Sequence, residues 1–351
     1  MASPLSQKPK HIAVIRLSAM GDVAMTVPVL RALVKQHPEL KITMVSRPFF
    51  KPFFDGIPNV DFFAFDAKGK HKGFFGLLKL FSELKRHNID AFADLHNVLR
   101  SKIIRALFAL SGKKTAAVDK GKTAKKALTR TKNKIFKPLP PMGQRHAKVF
   151  ETLGFPIDLS QPEFPSRKNL SAEILAFTES KQGFKWIGIA PFAQHDGKVY
   201  HVDLMQQTIA LLARSRNCKI FLFGGGTKEI ETLNKFAKDF ENVIVVAEKA
   251  TFEQELQLIS NLDVMLSMDS GNAHIAAMYG IPTITLWGAT HPFAGFSPFA
   301  QPDENALVSD REQYPKLPTS VYGNKYVEGY EDAMRTILPE TIVEKIKTVL
   351  K

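Results

Sequence analysis

The sequence predicts an α/β fold of two doubly wound domains, and three observations carry that prediction. Short, nearly continuous apolar runs of strand length recur along the 351 residues. Stretches with helical spacing separate them, joined by short polar segments. The pattern then restarts after a proline-bearing joint at 154–166, which contains Pro156, Pro162 and Pro165. A chain of this length exceeds what one hydrophobic core usually supports. The expected units are an N-terminal domain over 1–165, a second domain over 166–335, and a closing helix over 336–351 that can pack back on the N-terminal domain.

In order, His11 to Leu17 reads as a strand buried on both faces, broken by a turn at Ser18 to Asp22. Val23 to His37 has helical spacing with Pro28 inside it. Either the loop runs on to Thr26 and Pro28 lies in the first turn, or the helix is kinked there. Strands follow at 41–45 and 60–65 around an aromatic segment, Phe49 to Phe54. A helix over 74–87, a strand over 90–95 and a helix over 99–110 complete the unit, and a further helix spans 142–153. The second half places strands at 186–191, 219–223, 243–246, 263–268 and 283–287. Helices fill 203–213, 228–240, 252–261 and 272–279, and an amphipathic helix over 339–350 closes the chain. Two such Rossmann-like domains facing each other create a cleft lined by strand carboxyl ends, where ligands of α/β sheets bind.

The net charge of +14 is carried by the first half, and Lys102 to Lys137 holds twelve basic residues against one acid, Asp119. Such a run is either a solvated surface or a docking face for a polyanion or an anionic membrane. Its few aromatics argue against a single-stranded nucleic-acid platform, so no nucleic-acid partner is expected. Cys218 is the only cysteine, which excludes a disulfide and a thiolate metal site. No apolar run nears the ~20 residues that span a bilayer, and residues 1–10 lack a signal-peptide core. The expected location is cytoplasmic.

Polar loops after four strands hold the candidate chemistry. Ser18 to Asp22 offers a carboxylate on a glycine-containing turn. Phe192 to Lys198 offers Lys198, and Gly224 to Thr227 offers unencumbered backbone. Ser267 to His274 reads as strand, turn and helix start, where Asp269, Ser270, Gly271, Asn272 and His274 make either an N-cap or an anion seat of open helix amides. Gly224 to Gly226 lacks the third glycine of a dinucleotide fingerprint, since Glu229 stands there, and no P-loop occurs. No D-x-D occurs either, the pattern with which many sugar transferases hold a divalent metal on a diphosphate. A diphosphate bound here needs Lys198 and helix amides for its charge. His195, His201 and His291 show no metal-ligand spacing.

Together these segments resemble glycosyltransferase family 9, the ADP-heptose lipopolysaccharide heptosyltransferases of GT-B architecture. The matching stretches are Ile15 to Pro28, Asp94-Leu95-His96, Ala190 to Lys198, Phe223-Gly224-Gly225, Asp263 to Thr290 and Ile337 to Val343. The resemblance implies an inverting, metal-independent transfer of a sugar, by family default an ADP-linked heptose, to an anionic glycolipid of the lipopolysaccharide core. It implies Asp22 as general base and Ser18, Met20, Gly21 and Arg100 on the acceptor side. Lys198 and the 270–273 amides take the diphosphate, Asp269 the donor sugar, and the Gly224 to Glu231 loop with Glu229 the nucleoside. Two other readings remain open: a non-catalytic polyanion-binding protein on the same scaffold, and a nucleotide-sugar epimerase or hydrolase. Peripheral contact with an anionic inner membrane is the further expectation.

Overall fold

The computed structural model describes residues 8–181, 183–215, 217–325 and 327–351. Its elements in order are β1 (His11–Ile15), α1 (Met20–Ala24), α2 (Thr26–Gln36), β2 (Lys41–Ser46), β3 (Val60–Ala64), α3 (Gly73–Lys85), β4 (Ala91–Asp94), α4 (Leu99–Leu110), β5 (Lys114–Ala117), α5 (Lys122–Thr129) and α6 (Met142–Thr152). They continue with α7 (Ala172–Thr178), β6 (Lys185–Ala190), α8 (Val202–Ala213), β7 (Cys218–Leu222), α9 (Thr227–Ala237), β8 (Val243–Val245), α10 (Phe252–Ser260), β9 (Val264–Met268), α11 (Gly271–Met278), β10 (Thr283–Trp287), β11 (Ala306–Val308) and α12 (Pro339–Leu350). Contacts divide the chain into two units. The first runs to Lys120 and takes up Met142–Glu163; the second holds Gly121–Pro141 and Phe164–Lys351.

The first sheet has order β3-β2-β1-β4-β5 and the second β11-β10-β9-β6-β7-β8. Every pairing is parallel. Both orders reverse direction once, between β1 and β4 and between β6 and β9. In a doubly wound sheet the loops after those strands diverge and open a crevice at the carboxyl edge. The central strands are apolar because helices cover both faces: β1, β7, β9 and β10 are buried throughout. Leu77, Leu80, Ile104 and Phe108 close one face of the first sheet, and Phe81 meets Phe108 edge-on at 5.1 Å, which aligns α3 beside α4.

The structure bears on three expectations. The chain after β1 is helical and not a loop as far as Thr26, with Met20, Gly21 and Asp22 in the first turn of α1; Pro28 falls in the first turn of α2, the first of its two expected placements, after a break at Met25. The closing helix packs on α8 and β9 of the second unit, with Ile342, Val343 and Ile346 in that unit's core. The basic stretch Lys102 to Lys137 is divided between the two units, its part from Gly121 onward belonging to the second.

That part is held down by its own cations. Lys134 Nζ donates to the carbonyls of Leu128 and Pro318 at 2.9 and 2.7 Å, and burial pushes its ammonium down to about 8. Lys125 Nζ stands 3.8 Å over the Phe296 ring, and the Arg311 guanidinium 3.5 Å over Phe136. Phe136 also meets His291 at 5.0 Å. His291 accepts from the Phe293 amide through Nδ1 at 3.1 Å, so it is a structural cap. Burial, then Arg311 and Lys134, push His291 from 6.5 down to about 4. A depressed histidine is neutral when folded, while the unfolded chain gains its proton below 6.5. This contribution to stability is therefore complete above pH 6.5 and is lost as pH falls toward 4. Urea denaturation should show about 2 kcal/mol more loss between pH 7 and 5 in the parent than in His291→Asn; equal losses would assign the acid sensitivity elsewhere.

Candidate active site

At the first switch point, the loop after β1 presents Asp22. It stands in the third position of α1, where its Oδ2 accepts from the Ala19 amide at 3.2 Å. The same oxygen lies 2.6 Å from Nη2 of Arg16, whose Nη1 donates to the Leu95 carbonyl at 2.7 Å. Arg16 is only 5 % exposed. A buried guanidinium requires partners, and these two fix Asp22 relative to the β4 loop. Across the switch point, fully buried Asp94 accepts from the amides of His96 and Asn97 and pairs with Arg105 at 3.3 Å. Burial first, and the charge of Arg16 second, push His96 down to about 4, so it is neutral at pH 7. Ser18 and Met20 are half-buried and Gly21 is buried in the same turn, while Arg100 is exposed in the first turn of α4.

At the second switch point, Lys198 ends the single 3-10 turn Asp196–Lys198 after β6. Its Nζ lies 2.8 Å from Asp269 Oδ2 and donates to the Asp269 carbonyl at 3.1 Å. Asp269, after β9, is only 6 % exposed. The lysine stem is walled in. Gly197 is tied to β10 through the Ala289 amide at 2.8 Å, and Ala289 in turn accepts from the amides of Thr319 and Ser320. A Cβ on Gly323 would stand 2.5 Å from Lys198 Cγ. The segment from Leu317 to Met334 also lines a cavity of about 720 Å³ together with His195, Gly197 and Gly288.

Ser270 occupies the N-cap position of α11, but its side chain accepts none of the helix amides. Its Oγ pairs instead with Ser267 Oγ at 3.0 Å. The capping reading of Ser270 is thus corrected: the first turn of α11, with Gly271, Asn272 and Ala273, offers amides that its own N-cap side chain does not occupy, and buried His274 follows one residue later. One strand over, after β7, Gly225 donates to Glu229 Oε2 at 2.8 Å. Gly225 and Gly226 are exposed and a Cβ on either would meet nothing within 4 Å, so this backbone is open to a ligand. The strand order β9-β6-β7 places the Asp269, Lys198 and Gly224 loops side by side along one sheet edge. Among the described residues no group of three or more His, Cys, Asp or Glu side chains is arranged to hold a metal ion.

The profile of glycosyltransferase family 9 (heptosyltransferase) matches residues 77–326. The chain belongs to glycosyltransferase family 9. As a family 9 member it is a glycosyltransferase. It is 25 % identical over 305 residues to the lipopolysaccharide core heptosyltransferase OpsX of Haemophilus influenzae, covering 82 % of this chain and 81 % of that one. It is 23 % identical over 354 residues to lipopolysaccharide heptosyltransferase 1 of Campylobacter coli, covering 96 % and 98 %. Among solved structures, a family 9 glycosyl transferase from Veillonella parvula aligns with TM-score 0.74 at 20 % identity over 97 % of each chain. The E. coli heptosyltransferase WaaC with ADP aligns with TM-score 0.68 at 17 % identity, over 97 % and 99 %. The fold is therefore GT-B, two parallel-sheet α/β domains.

Within this family 9 glycosyltransferase, sequence reasoning assigned no role to Arg16, Gly323 or His96. Arg16 did leave a signal, as a charge inside the apolar run His11 to Leu17, where a buried cation must have a partner. Gly323 left none, because its importance lies in a contact with a residue far away in sequence.

Proposed function

We propose that this glycosyltransferase moves a heptose from an ADP-linked donor to a hydroxyl of a lipopolysaccharide core acceptor, with inversion at the anomeric carbon and without a metal. The observation that carries the donor side is the Lys198–Asp269 pair beside the open start of α11 at a sheet switch point. Lys198 takes the diphosphate charge as the bond between the anomeric carbon and the diphosphate oxygen breaks, and the α11 amides share it. With Lys198 engaged there, Asp269 accepts hydrogen bonds from sugar hydroxyls. Asp22 takes the proton of the acceptor hydroxyl as its oxygen forms the new bond to that carbon. The absence of D-x-D from the sequence supports a metal-free site. The relatives' names, lipopolysaccharide heptosyltransferases, and the WaaC structure with ADP support the sugar, the acceptor and the base.

Calorimetric titration should show ADP binding, with GDP and UDP weaker. Mass spectrometry of products from a panel of nucleotide sugars should show heptose on the core glycolipid. No nucleotide binding at millimolar concentration would sink the donor assignment, and sugar release without acceptor modification would make the enzyme a hydrolase.

A further inference from the structure

The carboxyl edge of the first sheet carries more than Asp22. Parallel strands send all their following loops to one edge, so the segment after β3 and the start of α4 after β4 emerge on the same rim as α1. There the side chains depart from the burial expected of apolar residues. Phe74 is 57 % exposed, Phe75 82 % and Leu99 75 %. The two phenylalanines open α3, with ring centroids 5.9 Å apart and edge to face. Leu99 opens α4, which packs beside α3 through Phe108 and Phe81, and both helices start at this same carboxyl edge. Exposed Lys68, Lys72 and Arg100 flank them. The acids nearby are engaged: Asp66 accepts from the Gly69 and Lys70 amides, and Glu83 pairs with Lys70 and His71.

From these observations we infer that this rim, Phe74, Phe75 and Leu99 ringed by Lys68, Lys72 and Arg100, docks on an anionic lipid bilayer. Exposed aromatic and aliphatic side chains enter the headgroup boundary while the cations meet lipid phosphates. Three apolar side chains are too few for a stable protein interface, which needs about 800 Å² from each partner. They suffice for reversible attachment to a surface that also attracts their charged neighbours. The inference deepens the acceptor side of the proposed reaction and rests on that reading only for its consequence, that Asp22 opens on the edge that meets the glycolipid.

Vesicle co-sedimentation of the full chain tests it without nucleotide or turnover. The parent should pellet with phosphatidylcholine vesicles containing phosphatidylglycerol and stay in solution with phosphatidylcholine alone. Phe74→Ser with Phe75→Ser should weaken binding by about tenfold or more, Phe74→Leu with Phe75→Leu should retain most of it, and Lys68→Glu with Lys72→Glu should remove the dependence on anionic lipid. All three pairs should keep the parent's rate on a delipidated, soluble acceptor. A parent that ignores anionic vesicles, or a serine pair that binds like the parent, overturns the inference. So does concentration-dependent dimerisation in sedimentation velocity that the serine pair abolishes while vesicle binding persists, because the face would then belong to a second copy. Each of these results leaves the transferase reading standing, and loss of turnover with intact vesicle binding would count against that reading alone.

Discussion

Asp22→Asn is expected to lower turnover by about 10²–10⁴-fold while leaving the affinity for ADP nearly unchanged. The asparagine carbonyl can keep the hydrogen bond that Asp22 Oδ2 accepts from the Ala19 amide, so the first turn of α1 should persist. What disappears is the group proposed to accept the substrate proton. A sugar hydroxyl is a poor nucleophile at neutral pH, and a positioned carboxylate next to it is the group that makes attack feasible. Arg16 loses the negative half of its pair but keeps the Leu95 carbonyl. Because the Asp22 side chain is 29 % exposed, the stability cost of that loss should be modest, on the order of 1 kcal/mol. The separation matters: thermal denaturation reports the Arg16 contact, calorimetry with ADP reports the second unit, and single-turnover transfer reports the base. Near-parental transfer by Asp22→Asn would remove Asp22 from that role and direct attention to the β4 loop, where neutral His96 stands.

Where the local pattern decides an element, the sequence was enough. The helix over Leu99–Leu110 and the strand over Thr283–Trp287 have the bounds that their apolar spacing predicts. What escaped were elements whose stability is borrowed. β5 is Lys-Thr-Ala-Ala at a sheet edge, without a continuous run of large apolar residues, and β11 is Ala-Leu-Val, too short for a pattern to show; both exist because a parallel neighbour offers its edge. α12 illustrates a different limit. Its amphipathic spacing says that one face is buried but not against what, and α8 supplies the partner. The same holds for 121–141. Composition marks it as basic, whereas its placement depends on Lys134 reaching the Pro318 carbonyl and on Arg311 covering Phe136, contacts between residues far apart in the chain. At the site, Asp22, Lys198 and Asp269 stand out in the sequence as charged groups in polar loops that follow apolar strands. Their supports, Arg16 and Gly323, were not assigned because a supporting role is defined by who stands next to whom.

Lys198→Ala should cost on the order of 10²–10³ in turnover, the scale of removing one preorganised group that stabilises developing charge. Taken alone, that loss would be ambiguous, because the alanine also leaves Asp269, buried to 6 % exposure, without its cation, and an unpaired buried carboxylate destabilises its surroundings. Gly323 offers a variant that leaves both charges in place. A methyl group there would stand 2.5 Å from Lys198 Cγ, with Cε and Cδ at 3.2 and 3.3 Å, so the lysine stem must leave its present path toward Asp269. Gly323 also has φ of +77°, so alanine carries a backbone cost of about 1 kcal/mol whatever it touches. Gly329 supplies the control, since its φ is +75° in the same segment and an added Cβ meets nothing within 4 Å. Gly323→Ala and Gly329→Ala should therefore lose similar stability in denaturation. Only Gly323→Ala should lower turnover, by roughly 10- to 100-fold as misplacement of a charge-stabilising group does, and weaken ADP binding with it. Equal turnover in the two variants would mean that the Leu317 to Met334 wall does not aim Lys198, and that the lysine finds the diphosphate from a range of starting positions.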